Sequence, residues 1–522
     1  MKRKISILTF LIAGLLAAGT VSGQGHEDLY RYSDQSFSFG TARSAAMGGA
    51  FSSLGADLSS MAINPAGLGM YRRSEIGFTL GYTHLTTKTN HQDLAAFSNS
   101  EKQGRFALNN IGAAFNVYNG SGALTSMTFG FNYSKMIDHN SRTRVRGLSP
   151  YSMTDLFVHQ LNTAKNGNPL TPNEVENLFE NGGYAGILGA VLGWESLLID
   201  DYENGKFHLG STLSPDAVLS SEMYKKTTGS TGQYDISLGM NFGNKIYLGL
   251  GFGFQDIYYK ENYEYNEYNE GGPTVDYQMD NFLYRTHMKQ TGSAWNFKIG
   301  TIIRPVEELR IGLAFHTPTY INIDETYYGS MDTYLYNNAH YGESSTVFYG
   351  SYNIRTPMRF IGGVSYTFFN TAILSIDYER VWYNQMKLFW DGQGSGEEKG
   401  ITNDVKEFYQ PANNLRVGIE TMVAPNWFVR IGFAYNGKIY KDGYLGDFKK
   451  QDGSRRHYTA GFGYRNGNFG IDLAYIYADS KDAHYVYDYY EVDENNNFLG
   501  GTNAYKADRQ RHNISLTTSW RF

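Results

Sequence analysis

The sequence predicts an all-β fold: a transmembrane antiparallel β-barrel of about 14 strands, with an N-terminal plug and a partly helical long outward loop. Three observations predict it. From about residue 74 to 522, large apolar side chains alternate with small, Gly-rich or charged ones. Short and long connections alternate between these runs. Aromatic residues make up 16% of the 522 residues, with 59 Gly, 11 Pro and no Cys, and mean hydropathy is −0.43. Aromatic girdles around a polar lumen give that composition, which is unusual for a soluble enzyme of this length.

The alternation is clearest where Trp427, Val429, Ile431, Phe433 and Tyr435 share one face and Phe428, Arg430, Gly432 and Ala434 the other. Leu309, Ile311, Leu313 and Phe315 alternate with Arg310, Gly312, Ala314 and His316, and Leu415, Val417 and Ile419 with Arg416, Gly418 and Glu420. A soluble sandwich also alternates, but its wet face would carry Lys, Thr and Ser with little need for Gly. Fourteen strands are expected at about 74–86, 105–118, 122–136, 231–243, 245–260, 285–303, 308–322, 344–369, 371–383, 412–424, 427–440, 455–466, 468–479 and 508–522. Six tight turns, Asn119-Gly120-Ser121 and Ala424-Pro425-Asn426 among them, alternate with seven long connections, the longest at 137–230. An even-stranded barrel with short periplasmic turns and long outward loops produces that parity. The last strand alternates to a terminal Phe522, which resembles the signal read by the barrel assembly machinery.

Lys2-Arg3-Lys4, the apolar run from Ile5 to Ala18 and the small residues Val21-Ser22-Gly23 have the layout of a secretory signal over residues 1–23. Without its three cations the chain carries 42 Lys and Arg against 51 Asp and Glu, a net of −9, which argues against a nucleic-acid partner. Residues 24–73 are expected to form a hatch inside the barrel, and 74–522 the barrel itself. Within the hatch, Gly40 to Met70 is rich in small residues, nearly uncharged and without strand alternation.

That segment carries Asn64, Pro65 and Ala66, matching the Asn-Pro-Ala motif in the hatch of the FadL-type (FadL/TodX) outer-membrane transporters of hydrophobic compounds. Phe297 to Pro305 followed by Leu309 to Pro318 resembles the family's central hairpin. Pro357 to Gly362, Leu415 to Gly418 and His457 to Tyr464 resemble its later strands. The resemblance implies localisation in the bacterial outer membrane and passive uptake of hydrophobic small molecules such as long-chain fatty acids. Ligand would be captured among the outward loops, pass to a lumenal pocket and leave through the barrel wall as the hatch moves. Gly40, Arg43, Met47, Gly48, Asn64, Pro65 and Ala66 are the hatch residues of interest. The implied partners are the ligand, outer-membrane lipid and the assembly machinery, with the barrel a monomer and no cofactor.

Within 137–230, Leu156, Phe157 and Leu161, then Val175, Leu178 and Phe179, fall at helical spacing, and Thr171-Pro172-Asn173-Glu174 reads as a capped helix start. Gly186 to Ile199 is the most apolar segment after the signal. Two readings stand. Either these residues are the core of a loop minidomain, or Phe157, Leu178, Phe179, Ile187, Leu188, Val191, Leu192 and Trp194 form a groove for the ligand's tail. Of the lumen-facing charges, Arg310, Arg416 and Arg430 either pair with lumenal acids and the hatch or meet a carboxylate head group. No metal-ligand spacing joins the 12 His, Gly249 to Gly253 lies within a strand rather than before a helix, and no Gly-x-Ser-x-Gly elbow is present. An enzyme is therefore not expected. A general porin for small polar solutes and a surface receptor for a ligand such as haem remain as alternatives.

Overall fold

The computed structural model describes residues 26–34, 40–91, 99–149, 151–165, 167–208, 218–272, 278–389, 396–441, 452–487, 490–492, 498–501 and 505–522. The signal segment expected at 1–23 lies outside them. Fourteen antiparallel strands close one barrel. They are β1 (Glu75–His91), β2 (Asn99–Asn119), β3 (Leu124–Asp138, continued by Ser141–Ser149), β4 (Leu219–Phe242), β5 (Ile246–Asn269), β6 (Met279–Ile303) and β7 (Leu309–His316 and Tyr320–Leu335). Then come β8 (Phe348–Arg355 and Arg359–Phe368), β9 (Ala372–Trp382 and Lys387–Phe389), β10 (Pro411–Ala424), β11 (Trp427–Asn436), β12 (Arg455–Asn466), β13 (Phe469–His484) and β14 (Tyr505–Arg521). β14 returns to β1, Arg521 opposite Glu75 and Tyr505 opposite His91, which removes the sheet edge. β7 and β8 are interrupted beside Pro318 and Pro357, where proline has no N–H to give the ladder.

Toward the short turns every strand presents apolar side chains outward. On β5 these are Ile246, Leu248, Leu250, Phe252 and Phe254, with Tyr247 and Gln255 facing in. Lipid offers the backbone no hydrogen bonds, so a closed ladder with an apolar outer face is what the bilayer admits.

Strands β4 to β7 rise well beyond their expected ends: β4 starts at Leu219 rather than 231, β5 ends at Asn269 rather than 260, β6 starts at Met279 and β7 reaches Leu335. Above the apolar band the outer face is polar and carries Lys226, Thr228, Lys260, Asn262 and Glu264, so the apolar alternation stops where the strands do not. The loop expected at 137–230 is corrected accordingly: Ser141–Ser149 and everything from Leu219 onward is strand.

Between those strands lie α4 (Met153–Thr163), α5 (Pro172–Asn181) and α6 (Leu188–Glu195), in chain order after the plug helices α1 (His26–Ser33), α2 (Ala42–Ala46) and α3 (Ser60–Ile63). α7 (Gly396–Phe408) lies in the loop between β9 and β10. Ser152 with Asp155 and Thr171 with Glu174 form capping boxes that start α4 and α5, with Pro172 at the first position of α5.

Candidate functional site: the lumen and its plug

α2, α3 and the 3₁₀ turn Pro65–Met70 fill the half of the lumen nearer the short turns, and the wall is carved to receive them. A Cβ on Gly300 would lie 1.8 Å from Asn64 Oδ1, one on Gly249 2.0 Å from Ala66 N, and one on Gly312 2.4 Å from Ser52 O. On the opposite wall, a Cβ on Gly432 would lie 2.4 Å from Gly48 N and one on Gly418 2.5 Å from Met47 O. The Gly-rich face of the strands is therefore a seat in which two backbones meet without side chains between them. Gly48 itself sits at φ +64°, a conformation that favours glycine.

Asn64 explains the motif it begins. Its amide Nδ2 donates to Ser52 O at 2.7 Å within the plug and to Thr301 O at 3.2 Å on β6, while its Oδ1 accepts from Ala66 N. Pro65 takes the first position of the turn, where an N–H would have no partner, and Ala66 fits the space against Gly249.

Polar bolts surround this seat. Arg43 donates to both carboxylate oxygens of Glu420 at 2.9 and 2.8 Å, and Glu420 also accepts from Arg430. Arg430 reaches on to Asp472 at 2.8 Å, which Arg465 also meets. Asp377 accepts from Phe51 N and Ser52 N, each at 2.8 Å, and His316 bonds Ile63 O at 2.9 Å. Arg416 is paired with Glu379, which also holds Arg359. Thus Arg416 and Arg430 are engaged in fixing acids and plug. Arg310 lies in the lumen near Arg304 with its buried Nε lacking a partner. Met47 packs with Phe51, Leu54, Ile63, Ala314 and Ile361.

Above the plug the lumen opens into a cavity of about 260 Å³, lined by Arg31, Asp34, Asp138, His139, Asn140, Lys225, Tyr259, Glu261, Arg455, Asp482 and Arg509 among others. A smaller one of about 60 Å³ lies beneath it against Gly48, Gly49, Ile63, Arg416 and His457, and His457 borders both. Most charges in the upper chamber are paired, Arg455 with Asp34 and Arg509 with Asp482. Arg511 is the exception: it lines the chamber from β14, and no hydrogen bond or ion pair to a described residue holds it.

The wall beside this chamber is broken. β2 and β3 pair from Asn110 opposite Ser134 to Asn119 opposite Ser126, and not above. Residues 99–108 of β2 pair with β1 alone, while β3 above Ser134 pairs with β4 alone. A register shift at Lys135 to Ile137 and the non-strand pair His139-Asn140 turn β3 away. Side chains bridge the breach in place of backbone: Arg105 donates to Asn140, and Arg144 to Glu101 at 3.0 Å. Asp138 to Ser141, the breaking segment itself, also lines the chamber.

α1 lies across the upper lumen, with the Tyr32 ring edge-on to His139 at 5.7 Å between centroids. Leu29 and Tyr32 are buried among Ile257, Ile321, Tyr352, Tyr383 and Val405, and Arg31 stacks over Tyr259 with its guanidinium 4.2 Å from the ring centre.

Of the eight loop residues of interest, Phe157, Ile187, Leu188, Val191 and Leu192 are buried together in the cluster that docks α4 and α6 on the tops of β5, β6 and β7, with Tyr265, Phe282 and Met331. Leu178, Phe179 and Trp194 are partly buried at its margin. Reasoning from the sequence missed Arg511, Arg455 and the break; the only local sign of the break is the run Asp138-His139-Asn140, polar and unable to continue an alternating strand.

A closed barrel with an apolar belt, a plug bolted into its lumen and a chamber beside a breach in the wall defines an outer-membrane channel for molecules that lipid, rather than water, can receive. The family model for outer membrane protein transport protein (OMPP1/FadL/TodX) matches residues 234–522, more than half of the chain. The chain belongs to that family and is an outer-membrane channel for hydrophobic compounds. The structure of a Pseudomonas aeruginosa FadL homologue is similar over 92% of this chain and 98% of that one, at 14% identity and a TM-score of 0.53. The P. putida toluene transporter TodX aligns over the same shares at 12% identity and a TM-score of 0.50. A search of curated protein sequences finds no match.

Proposed function

We propose that the barrel passes amphiphilic hydrophobic molecules, long-chain fatty acids among them, passively from its outward loops into the upper chamber and then sideways into the bilayer between β2 and β3. The observation that carries this route is that the upper part of β2 has no backbone partner in β3, while Asp138 to Ser141, where β3 turns away, line the chamber. The plug stays seated in this scheme, because its ion pairs and glycine seat hold it on several sides. Leu178, Phe179 and Trp194 at the margin of the loop cluster offer apolar surface for first capture. A chamber lined by arginines suits a ligand with an anionic head better than a bare aromatic hydrocarbon such as the toluene carried by the P. putida relative.

The chain has no Cys, so a pair introduced at Arg105→Cys and Asn140→Cys is unique and can be bridged across the breach by a short bis-maleimide. Bridging is expected to stop uptake of a fluorescent fatty acid into proteoliposomes, while each single variant treated alike keeps it. Undiminished uptake through the bridged barrel would rule out the lateral route.

A further inference from the structure

Above the apolar band, the outer face of the barrel sets opposite charges against each other. Across neighbouring strands Arg456 faces Asp479, Lys481 faces Asp508, Lys88 faces Asp508, Arg285 faces Glu264 and Arg146 faces Glu222. Three rungs depart from this: Arg142 of β3 stands opposite Lys226 of β4 on the strand extensions, and two others lie lower, nearer the apolar band. Lys260 of β5 stands directly opposite Lys289 of β6, and Arg355 of β8 directly opposite Lys387 of β9. Side chains so placed have Cβ atoms about 5 Å apart, and like charges there are destabilising unless something neutralises them. None of the four has an ion pair with a described residue. The Arg355 guanidinium reaches only the Gln385 carbonyl, at 3.5 Å, and Asp324, on the strand beyond Lys289, is bonded to Ser351 instead.

Their height is as telling as their sign. Lys260 lies one outward step above the exposed Tyr258, over Phe254, Phe252 and Leu250 on the same strand. Arg355 faces Tyr320, whose ring stacks on Trp295 with centroids 4.8 Å apart. Both rungs therefore sit at the upper edge of the aromatic girdle on the long-loop side, where lipid headgroups begin.

We propose that each rung clamps a phosphate of an outer-leaflet glycolipid, one that carries phosphate esters on its sugar, with its acyl chains lying along the apolar wall beneath. Two cations converging from adjacent strands match a phosphate monoester, whose charge approaches two and whose oxygens accept several N–H bonds. A soluble polyanion would meet the same cations but gain nothing from Phe252, Phe254 and Trp295 directly below. The continuity of charge and apolar face selects a lipid.

The test is native mass spectrometry of the full-length barrel in detergent, with diphosphorylated lipid A, its dephosphorylated form, phosphatidylglycerol and inorganic phosphate as separate probes. The wild-type protein is expected to retain diphosphorylated lipid A, and K260Q/K289Q and R355Q/K387Q each to weaken it by about thirtyfold, from roughly 1 kcal/mol per cation at a charged membrane surface. K481Q, whose lysine has Asp508 opposite, is expected to change nothing, and K260R/K289R to keep binding. Heat-modifiable migration on a gel confirms that each variant is folded. Equal retention by the variant that combines K260Q/K289Q with R355Q/K387Q overturns the proposal. So does equal retention of phosphatidylglycerol or of dephosphorylated lipid A, and so does full competition by inorganic phosphate at the lipid's own concentration.

Discussion

The two halves of the lumen are built by opposite means. In the half nearer the short turns, plug and wall meet through Gly249, Gly300, Gly312, Gly418 and Gly432 without wall side chains between them, and Glu420, Asp472 and Asp377 are shared between guanidiniums or backbone amides. In the upper half the wall stands back, leaves a polar chamber of about 260 Å³, and parts between β2 and β3. The lower half leaves only a cavity of about 60 Å³ against the plug, whereas the upper half has both space and charged groups that face it. In the proposed route transport therefore runs above the plug, which stays seated.

The largest effect is expected from breaking the seat. A Val at Gly300 would drive its Cβ into Asn64 Oδ1, and rigid neighbours on both sides leave nowhere to move. Gly300→Val should unseat the plug and turn an electrically quiet barrel into a steadily conducting one in planar bilayers. Gly122→Val, in a turn with open space around it, should leave the barrel quiet. If Gly300→Val is also silent, the seat does not hold the plug.

A smaller effect sharpens the contrast at the top of the molecule, where Glu267, far above the apolar band, docks the loop helices. Its carboxylate accepts from Met153 N at 3.1 Å, Tyr265 OH at 2.6 Å and the Ser152 hydroxyl. Burial pushes the carboxyl up to about 7; those donors pull the other way, and nearby Asp155 adds to the rise. The folded state then holds a proton that the unfolded state gives up near 4.5. Docking should therefore be strongest below that pH, weaken by up to about 3 kcal/mol as pH rises to 7, and stay level above. Limited proteolysis of the α4–α6 loop between pH 5 and 8 reads this directly, and E267Q should flatten the profile. A profile that E267Q leaves unchanged would assign the dependence to another group.

Legibility in the sequence followed the same division. Lipid forces alternation on the outward face, so all fourteen strands were visible where they cross the bilayer; beyond the apolar band, with Lys226, Lys260 and Glu264 on the outer face, strand ends were missed by up to thirteen residues, as at Leu335 of β7. Asn64-Pro65-Ala66 was legible because three local constraints, a cap, a missing N–H and a tight fit, fall on consecutive residues. The breach was not, because which residues of β2 lack a partner depends on where β3 turns away, a property of two strands together. Arg416 and Arg430 were found as lumenal cations by alternation alone, but alternation gives the face and not the height, so it could not separate them from Arg511.

That separation yields the smallest and most specific effect. Arg416 is held by Glu379 and Arg430 by Glu420 and Asp472, whereas Arg511 faces the chamber with no hydrogen bond or ion pair to a described residue. An anionic head entering the chamber would find Arg511 free to receive it without first breaking an internal pair. Arg511→Gln keeps the length and polarity of the side chain and removes its charge. Losing one charge-assisted hydrogen bond should raise the half-saturating concentration of a long-chain fatty acid about tenfold. Transport of an uncharged alcohol of the same chain length should be unchanged, because that molecule never used the charge. If both substrates slow equally, Arg511 shapes the chamber rather than reading the head group. If neither slows, the head is received elsewhere, and the paired arginines lower in the lumen would have to give up their acids to do it.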